Sequence, residues 1–194
     1  GPEHSDTLSS VNCLGNLLRR SCDYDGAEIL LRRALEGREK TLGPEHSDTL
    51  GSATDLGILM SEKGDYHGSE VYYRRALKGL EKTLGPKHHD TLNTVSCLGN
   101  LMDAKGDYDA AEILHRRALE GKEKAFGLEH LHTLSSVNHL ANLLARRGDY
   151  EGAEIHYRRA LEGREQALGP EHPDTLGSVN NLGILLFKKG DYDG

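Results

Sequence analysis

The chain repeats itself every 42 residues without a slip, and no other property limits its possible folds so strongly. The phrase Gly-Pro-Glu-His-x-Asp-Thr-Leu opens at Gly1 and returns at Gly43, at Gly85 with Lys87 and His89, at Gly127 in degraded form, and at Gly169. Gly-Asp-Tyr recurs at Gly64, Gly106, Gly148 and Gly190, and Arg-Arg-Ala-Leu starts at Arg32, Arg74, Arg116 and Arg158. A fixed period of this length means that each unit is one supersecondary element, unable to bury its apolar face alone and obliged to stack on its neighbours. The expectation is a single repeat array over 1–194, with units 1–42, 43–84, 85–126, 127–168 and a partial unit 169–194. The fifth unit stops a half-unit short, so the chain reads as an excerpt from a longer array. Gly1-Pro2 is either native or the remnant of a cleavage site.

Composition narrows the partner. Lys+Arg 24 against Asp+Glu 31 gives a net charge of −7, which lacks the basic footprint that a phosphate backbone requires, so no nucleic acid is expected. There is no apolar stretch approaching the ~18 residues of a membrane span, and no membrane contact is expected. Three cysteines, an odd count in a chain without a signal peptide, fit a reducing, cytoplasmic setting better than a disulfide framework. With no Trp and only two Phe, large side chains for one compact core are scarce.

Each unit reads as two helices. The first starts near residues 4–6, with Pro173 at a first helical position and Asp6, Asp48, Asp90 and Asp174 facing the positive end of the dipole. Leu8, Val11, Leu14, Gly15 and Leu18 follow at helical spacing, and the Gly of Gly-Asp-Tyr supplies a left-handed C-terminal cap. Cys22 stands in that glycine column. The second helix runs from about Tyr24 to Leu42, burying Ala27, Leu31, Ala34 and Leu35 and stopping at Gly43-Pro44. Glu28 and Arg32, with their counterparts, form i to i+4 bridges that mark a solvated face. A glycine within a helix costs about 1 kcal/mol against alanine, so Gly37, Gly79, Gly121 and Gly163 in register predict close backbone approach between neighbouring helices.

Small-residue positions distinguish among helical repeats of this length. Val11, Leu14, Gly15, Leu18, Ala27, Leu31 and Ala34 match large-x2-Leu-Gly-x2-large followed by Ala-x3-large-x2-Ala, as do Val95, Leu98, Gly99, Ala111, His115 and Ala118. This pattern resembles the tetratricopeptide repeat, in the 42-residue form similar to kinesin light chains and to nephrocystin-like arrays attached to STAND or NOD-like receptors. The resemblance implies an all-α fold, an α-solenoid wound as a right-handed superhelix. It also implies that first helices line a concave groove that binds a peptide or protein segment without catalysis. Two alternatives are an array that stacks end to end by self-association, and the ligand-sensing part of a larger nucleotide-binding receptor.

Comparing the units with one another points to the groove surface. In the first helix the columns of Ser5, Ser9, Asn12, Cys13, Asn16, Arg19 and Arg20 change, and at ~100° per residue they form one stripe roughly 120° wide. The stripe holds Asn12, Asn16, Asn100, Asn138, Asn142, Asn180 and Asn181, an accumulation that helix propensity does not favour. It is either a ladder of amides for an extended peptide backbone or a set of exposed polar positions whose amides bridge adjacent first helices. Charges alternate beside it: Arg19 and Arg20, then Asp55, Glu62 and Asp103, then Arg146 and Lys188, with His139 between. These residues are the candidate groove, and a partner of mixed charge is favoured.

Catalytic and cofactor chemistry finds no support. His4, His46, His88, His130 and His172 occupy one column, a helix-pair apart and too distant to share a metal; they read as helix-start packing residues. His88 and His89 with His130 and His132 in the next unit form the only plausible accidental site. Cys13 and Cys97 lack an adjacent base, and no phosphate-binding glycine loop is present. No catalytic residue, metal or cofactor is expected.

Overall fold

The computed structural model describes Gly1 and residues 3–190. Pro2 and the Asp191-Tyr192 of the last Gly-Asp-Tyr phrase lie outside the described residues. The described residues are all helical: α1 (Ser5–Arg20), α2 (Tyr24–Leu42), α3 (Ser47–Glu62), α4 (Tyr66–Thr83), α5 (His89–Ala104), α6 (Tyr108–Phe126), α7 (Leu131–Arg147), α8 (Tyr150–Leu168) and α9 (Pro173–Lys189). They fall into two compact bodies, Gly1–Leu101 and Met102–Gly194. Among them, no helix is long and apolar enough to cross a membrane.

Caps set the helix boundaries. The histidine column, expected to pack at helix starts, also caps them. The Nδ1 of His4, His46, His88, His130 and His172 accepts the backbone N–H two residues on, at 3.2–3.3 Å. Second helices are capped by aspartate: Asp23, Asp65, Asp107 and Asp149 accept from the N–H of Gly26, Gly68, Ala110 and Gly152. The recurring threonine ties three first helices to the turns before them, with Thr49, Thr91 and Thr133 donating to the carbonyls of Gly43, Gly85 and Gly127, whereas Thr175 Oγ1 of α9 is buried without a partner.

Within each body the helix pairs close on small residues. In the first, Ala27, Leu31, Leu35, Ala53, Leu56, Leu59, Met60 and Ala76 form one core cluster. In the second, Val137, Leu140, Ala141, Leu144, Ala153, Tyr157 and Ala160 do so with Leu182, Leu185 and Leu186 of α9. The helical glycines explain the fit, although what approaches them is a leucine side chain rather than backbone. A Cβ on Gly37 would lie 2.4 Å from Leu8 Cδ2; one on Gly79 would lie 2.6 and 2.7 Å from the two methyls of Leu50. Leu8 and Leu50 are each 1% exposed, so these methyls have no room to retreat.

Ion pairs stitch successive units. Arg32, Arg74, Arg116 and Arg158 bridge to Glu28, Glu70, Glu112 and Glu154 one turn back. Three of these glutamates receive the basic residue that ends the next first helix: Lys63 reaches Glu28 at 2.7 Å, Lys189 reaches Glu154 at 2.6 Å, and Arg147 pairs with Glu112. Hydrogen bonds from Lys63 and then Arg32 hold the Glu28 carboxyl below the usual range. The second arginine of a doublet also departs from a purely solvated face, since Arg75 reaches Glu39 at 2.5 Å and Arg159 reaches Glu123 at 2.8 Å, each in the preceding unit.

Two stability predictions follow from the backbone. Cys22 has φ +64, while its column partners Gly64, Gly106, Gly148 and Gly190 have φ between +78 and +86. A Cβ there costs about 1 kcal/mol, so Cys22→Gly will raise the denaturant midpoint; an unchanged or lower midpoint would remove strain as the explanation. Gly79→Ala will do the opposite. Alanine normally gains about 1 kcal/mol in a helix, but displacing both Leu50 methyls costs about 1–3 kcal/mol, and urea unfolding will show a net loss.

Candidate functional site

First-helix side chains form two different surfaces in the two bodies. In the first body the amides of α1 are occupied. Asn12 and Asn16 both donate to Asp55 Oδ2, at 2.6 and 2.9 Å. Asn12 Oδ1 accepts from Ser52 Oγ at 3.1 Å, and Asn16 Oδ1 from Arg19 Nε at 3.3 Å. Asn12 is buried rather than solvent-facing. Arg19 in turn forms an ion pair with Glu62. Arg20 and Asn100 are exposed.

The second body leaves more of its polar groups available. Asn181 Nδ2 donates to Asn138 Oδ1 at 3.2 Å, and Tyr157 Oη donates to Asn142 Oδ1 at 2.5 Å. Arg146 meets Asp103 Oδ2 at 2.8 Å, leaving Asp103 Oδ1 buried without a hydrogen-bond partner. Asn180 and Lys188 are exposed. Between α7, α8 and α9 lies a pocket of about 310 Å³ with Asp103, Asn142, Arg146, Asn181 and Lys188 as its polar rim. Ala145, Ile184 and Leu185 make its apolar wall, and Tyr157 joins the two. Sequence comparison identified most of the rim but missed the wall and Tyr157. The signal for Tyr157 was present in the changing column Leu31, Tyr73, His115 and Tyr157: tyrosine alone among these places a hydroxyl where it reaches Asn142.

The alternating charges have a structural origin. Arg19 and Asp103 share a column, as do Glu62 and Arg146, and the pairs Arg19–Glu62 and Asp103–Arg146 are both 43 residues apart. The second pair is the first with its charges exchanged. The sign changes along the first helices therefore satisfy neighbouring units before they can select a partner.

His139 sits apart from the amides. Its ring lies 5.9 Å from that of His115 on α6, and its Nδ1 is buried without a hydrogen-bond partner. Burial pushes both imidazoles down to about 4, with nearby Lys122 adding to the effect on each. The cluster near α7 is a different one: Phe126 stacks on His130 at 5.0 Å, and His130 and His132 lie 5.1 Å apart. Cys13, Cys22 and Cys97 are not disulfide-bonded. Among the described residues, no three or more His, Cys, Asp or Glu are placed to hold a metal ion.

Exchanging charges tests the paired reading. Arg19→Glu will destabilise the chain by about 0.5–1 kcal/mol, since this ion pair is partly exposed, and adding Glu62→Arg will restore most of the loss. A double-mutant cycle with no coupling would return both residues to the list of free groove charges.

Comparisons with known proteins follow the same lines. Family models described as Tetratricopeptide repeat match residues 6–82 and 62–124, and another of the same description matches residues 133–174. No curated protein sequence matches the chain. Among solved structures, BtubC (BKLC) from P. vanneervenii is similar at a TM-score of 0.82 with 24% identity, covering 96% of this chain and 74% of that one. A kinesin light chain-like protein of Podosopora anserina with nearly identical TPR-like repeats has a TM-score of 0.79 and 23% identity, covering 97% of this chain and 90% of that one. These likenesses establish the fold. With its 42-residue helix pairs, small-residue seats and repeat-model matches over most of its length, the chain belongs to the tetratricopeptide repeat family.

Proposed function

We propose that the chain is a non-enzymatic scaffold whose repeat units act as one array and bind a peptide or protein segment along the first helices. The observation that carries this reading is the pocket of the second body, where an apolar wall and a polar rim meet. Asn142 and Asn138 keep their amide N–H groups for a backbone carbonyl, and Lys188 offers a positive charge at the edge. In the first body Asn12 and Asn16 hold the units together, so that surface contributes shape more than hydrogen bonds. The partner is a segment with an aliphatic side chain for the Ile184–Leu185 wall and mixed charge beside it. The net charge of −7 argues against a nucleic-acid partner, and no helix among the described residues is long and apolar enough to cross a membrane. Three cysteines outside any disulfide, two of them exposed, fit a cytoplasmic setting.

A displayed library of random peptides supplies the test. Peptides enriched on the wild-type chain will lose about five- to tenfold in affinity on Asn142→Ala, because a hydrogen bond worth about 1 kcal/mol is lost. Lys188→Glu will change which peptides are enriched more than how tightly a neutral one binds. Arg33→Ala on the second-helix outer face will leave affinity unchanged, and Asn16→Ala will lower stability rather than affinity. Peptides that bind all four variants alike would displace the groove assignment.

A further inference from the structure

We propose that the contact between α6 and α7 is an acid-sensitive latch, in which His115 and His139 hold α7 against α6 only while both imidazoles are uncharged. The loosening concerns the fold itself. Its consequence, release of a bound segment from the second body, rests on the groove reading above.

The geometry comes first. His115 projects from α6 at the position that holds Leu31, Tyr73 and Tyr157 in the other second helices, and only 2% of it is exposed. His139 projects from α7 at the position of Cys13, Asp55, Cys97 and Asn181. The two rings meet at 5.9 Å with their planes tilted by 53°. Histidine replaces a large uncharged side chain on one helix and a groove-column residue on the other. The pair therefore joins the core of the second body to its candidate binding surface.

The surroundings oppose protonation from each packed element. Lys122, also on α6, is 3% exposed and acts on both rings, and Arg164 of α8 acts on His139. Asp174 of α9 faces Arg164, not the imidazoles, and its backbone carbonyl and Ser178 Oγ take up the guanidinium. Each ring, once charged, becomes a further cation for the other. A proton on His139 Nδ1 would also be a buried donor without an acceptor, because that nitrogen has no hydrogen-bond partner. Burial is the largest cause of the shift of both rings to about 4.

The sign of the linkage follows. An unfolded chain takes up these protons as pH falls through the ordinary histidine range near 6.5, whereas the folded chain refuses them until about 4. Stability from the pair is complete above about 6.5 and is lost as pH falls through that interval. By pH 5 the folded-to-unfolded ratio drops on the order of tenfold or more for each histidine.

The repeats supply their own control. H115Y and H139N install the residues found one period later, Tyr157 and Asn181, so the double variant keeps side chains that the same fold already accommodates. Urea midpoints are compared between pH 7.5 and pH 5. The wild-type chain will lose at least tenfold more of its folded-to-unfolded ratio than the double variant, and acid effects on capping histidines and surface carboxylates will cancel between the two. Identical pH dependence would overturn the proposal. Should the double variant fail to fold, proton NMR of the wild-type chain and of H139N alone decides: two ring signals that stay neutral down to pH 5 support the latch, and titration of both near 6.5 rejects it. Library-selected peptides, measured at both pH values, separate this proposal from the groove reading. A latch with no peptide binding at either pH leaves the loosening intact and discards the groove, whereas peptide binding without differential acid loss discards the latch and keeps the groove.

Discussion

The seating of a first-helix leucine on a second-helix glycine is the constraint on which the rest depends. Gly37 receives Leu8, Gly79 receives Leu50 and Gly163 receives Leu134. Each seat draws the two helices of one unit together closely enough to bury Ala27, Ala34 or Ala76 completely. A chain with no Trp and two Phe cannot fill gaps with large side chains, so it closes them by bringing helices nearer. On the changing face of α1, Asn12 and Asn16 reach Asp55 of α3, the first helix of the next unit.

Much of this was legible from sequence because repetition supplies several readings of each position. The helix pairs, the left-handed caps, the strained Cys22 and the i to i+4 bridges all follow from local rules that act within about one turn. The N-capping role of the histidine column was not legible in the same way. A histidine accepting through Nδ1 from an N–H two residues on is a local geometry, but residue type alone does not separate it from packing. The glycine column was recognised as a place of close approach, yet its occupant comes from the other helix of the unit, about 29 residues earlier in sequence. Tyr157 was missed because its contribution depends on reaching a side chain on α7, which no periodicity of α8 reveals.

The site was less legible because variation was equated with exposure. Asn12 lies in a changing column and is buried against Asp55, which lies in another. Two columns can both change and still satisfy each other where charges meet, as Arg19 with Glu62 and Asp103 with Arg146 show. Such exchange keeps the interface neutral while preventing an arginine of one unit from meeting the arginine of another, since like charges at that distance repel. Neighbour satisfaction thus accounts for part of the diversity that a partner would otherwise have to explain.

What remains after those pairs are set aside is the stronger indication of a binding surface. A position that varies between units and has a complementary change at a spacing of 43 residues is engaged within the array. One that varies without such a counterpart is available to something outside it. Arg20, Asn100, Asn180 and Lys188 meet that criterion by exposure, and Asn142 meets it through the amide N–H left over from its bond with Tyr157. Three of these, Asn142, Asn180 and Lys188, stand in the second body, where Ile184 also exposes half its surface beside the pocket. Polar groups with unspent hydrogen-bonding capacity next to exposed aliphatic surface favour a segment that is both peptide-like and apolar. A uniform ladder of amides would instead have spread that capacity evenly, and Asn12 and Asn16 show that it is not so spread.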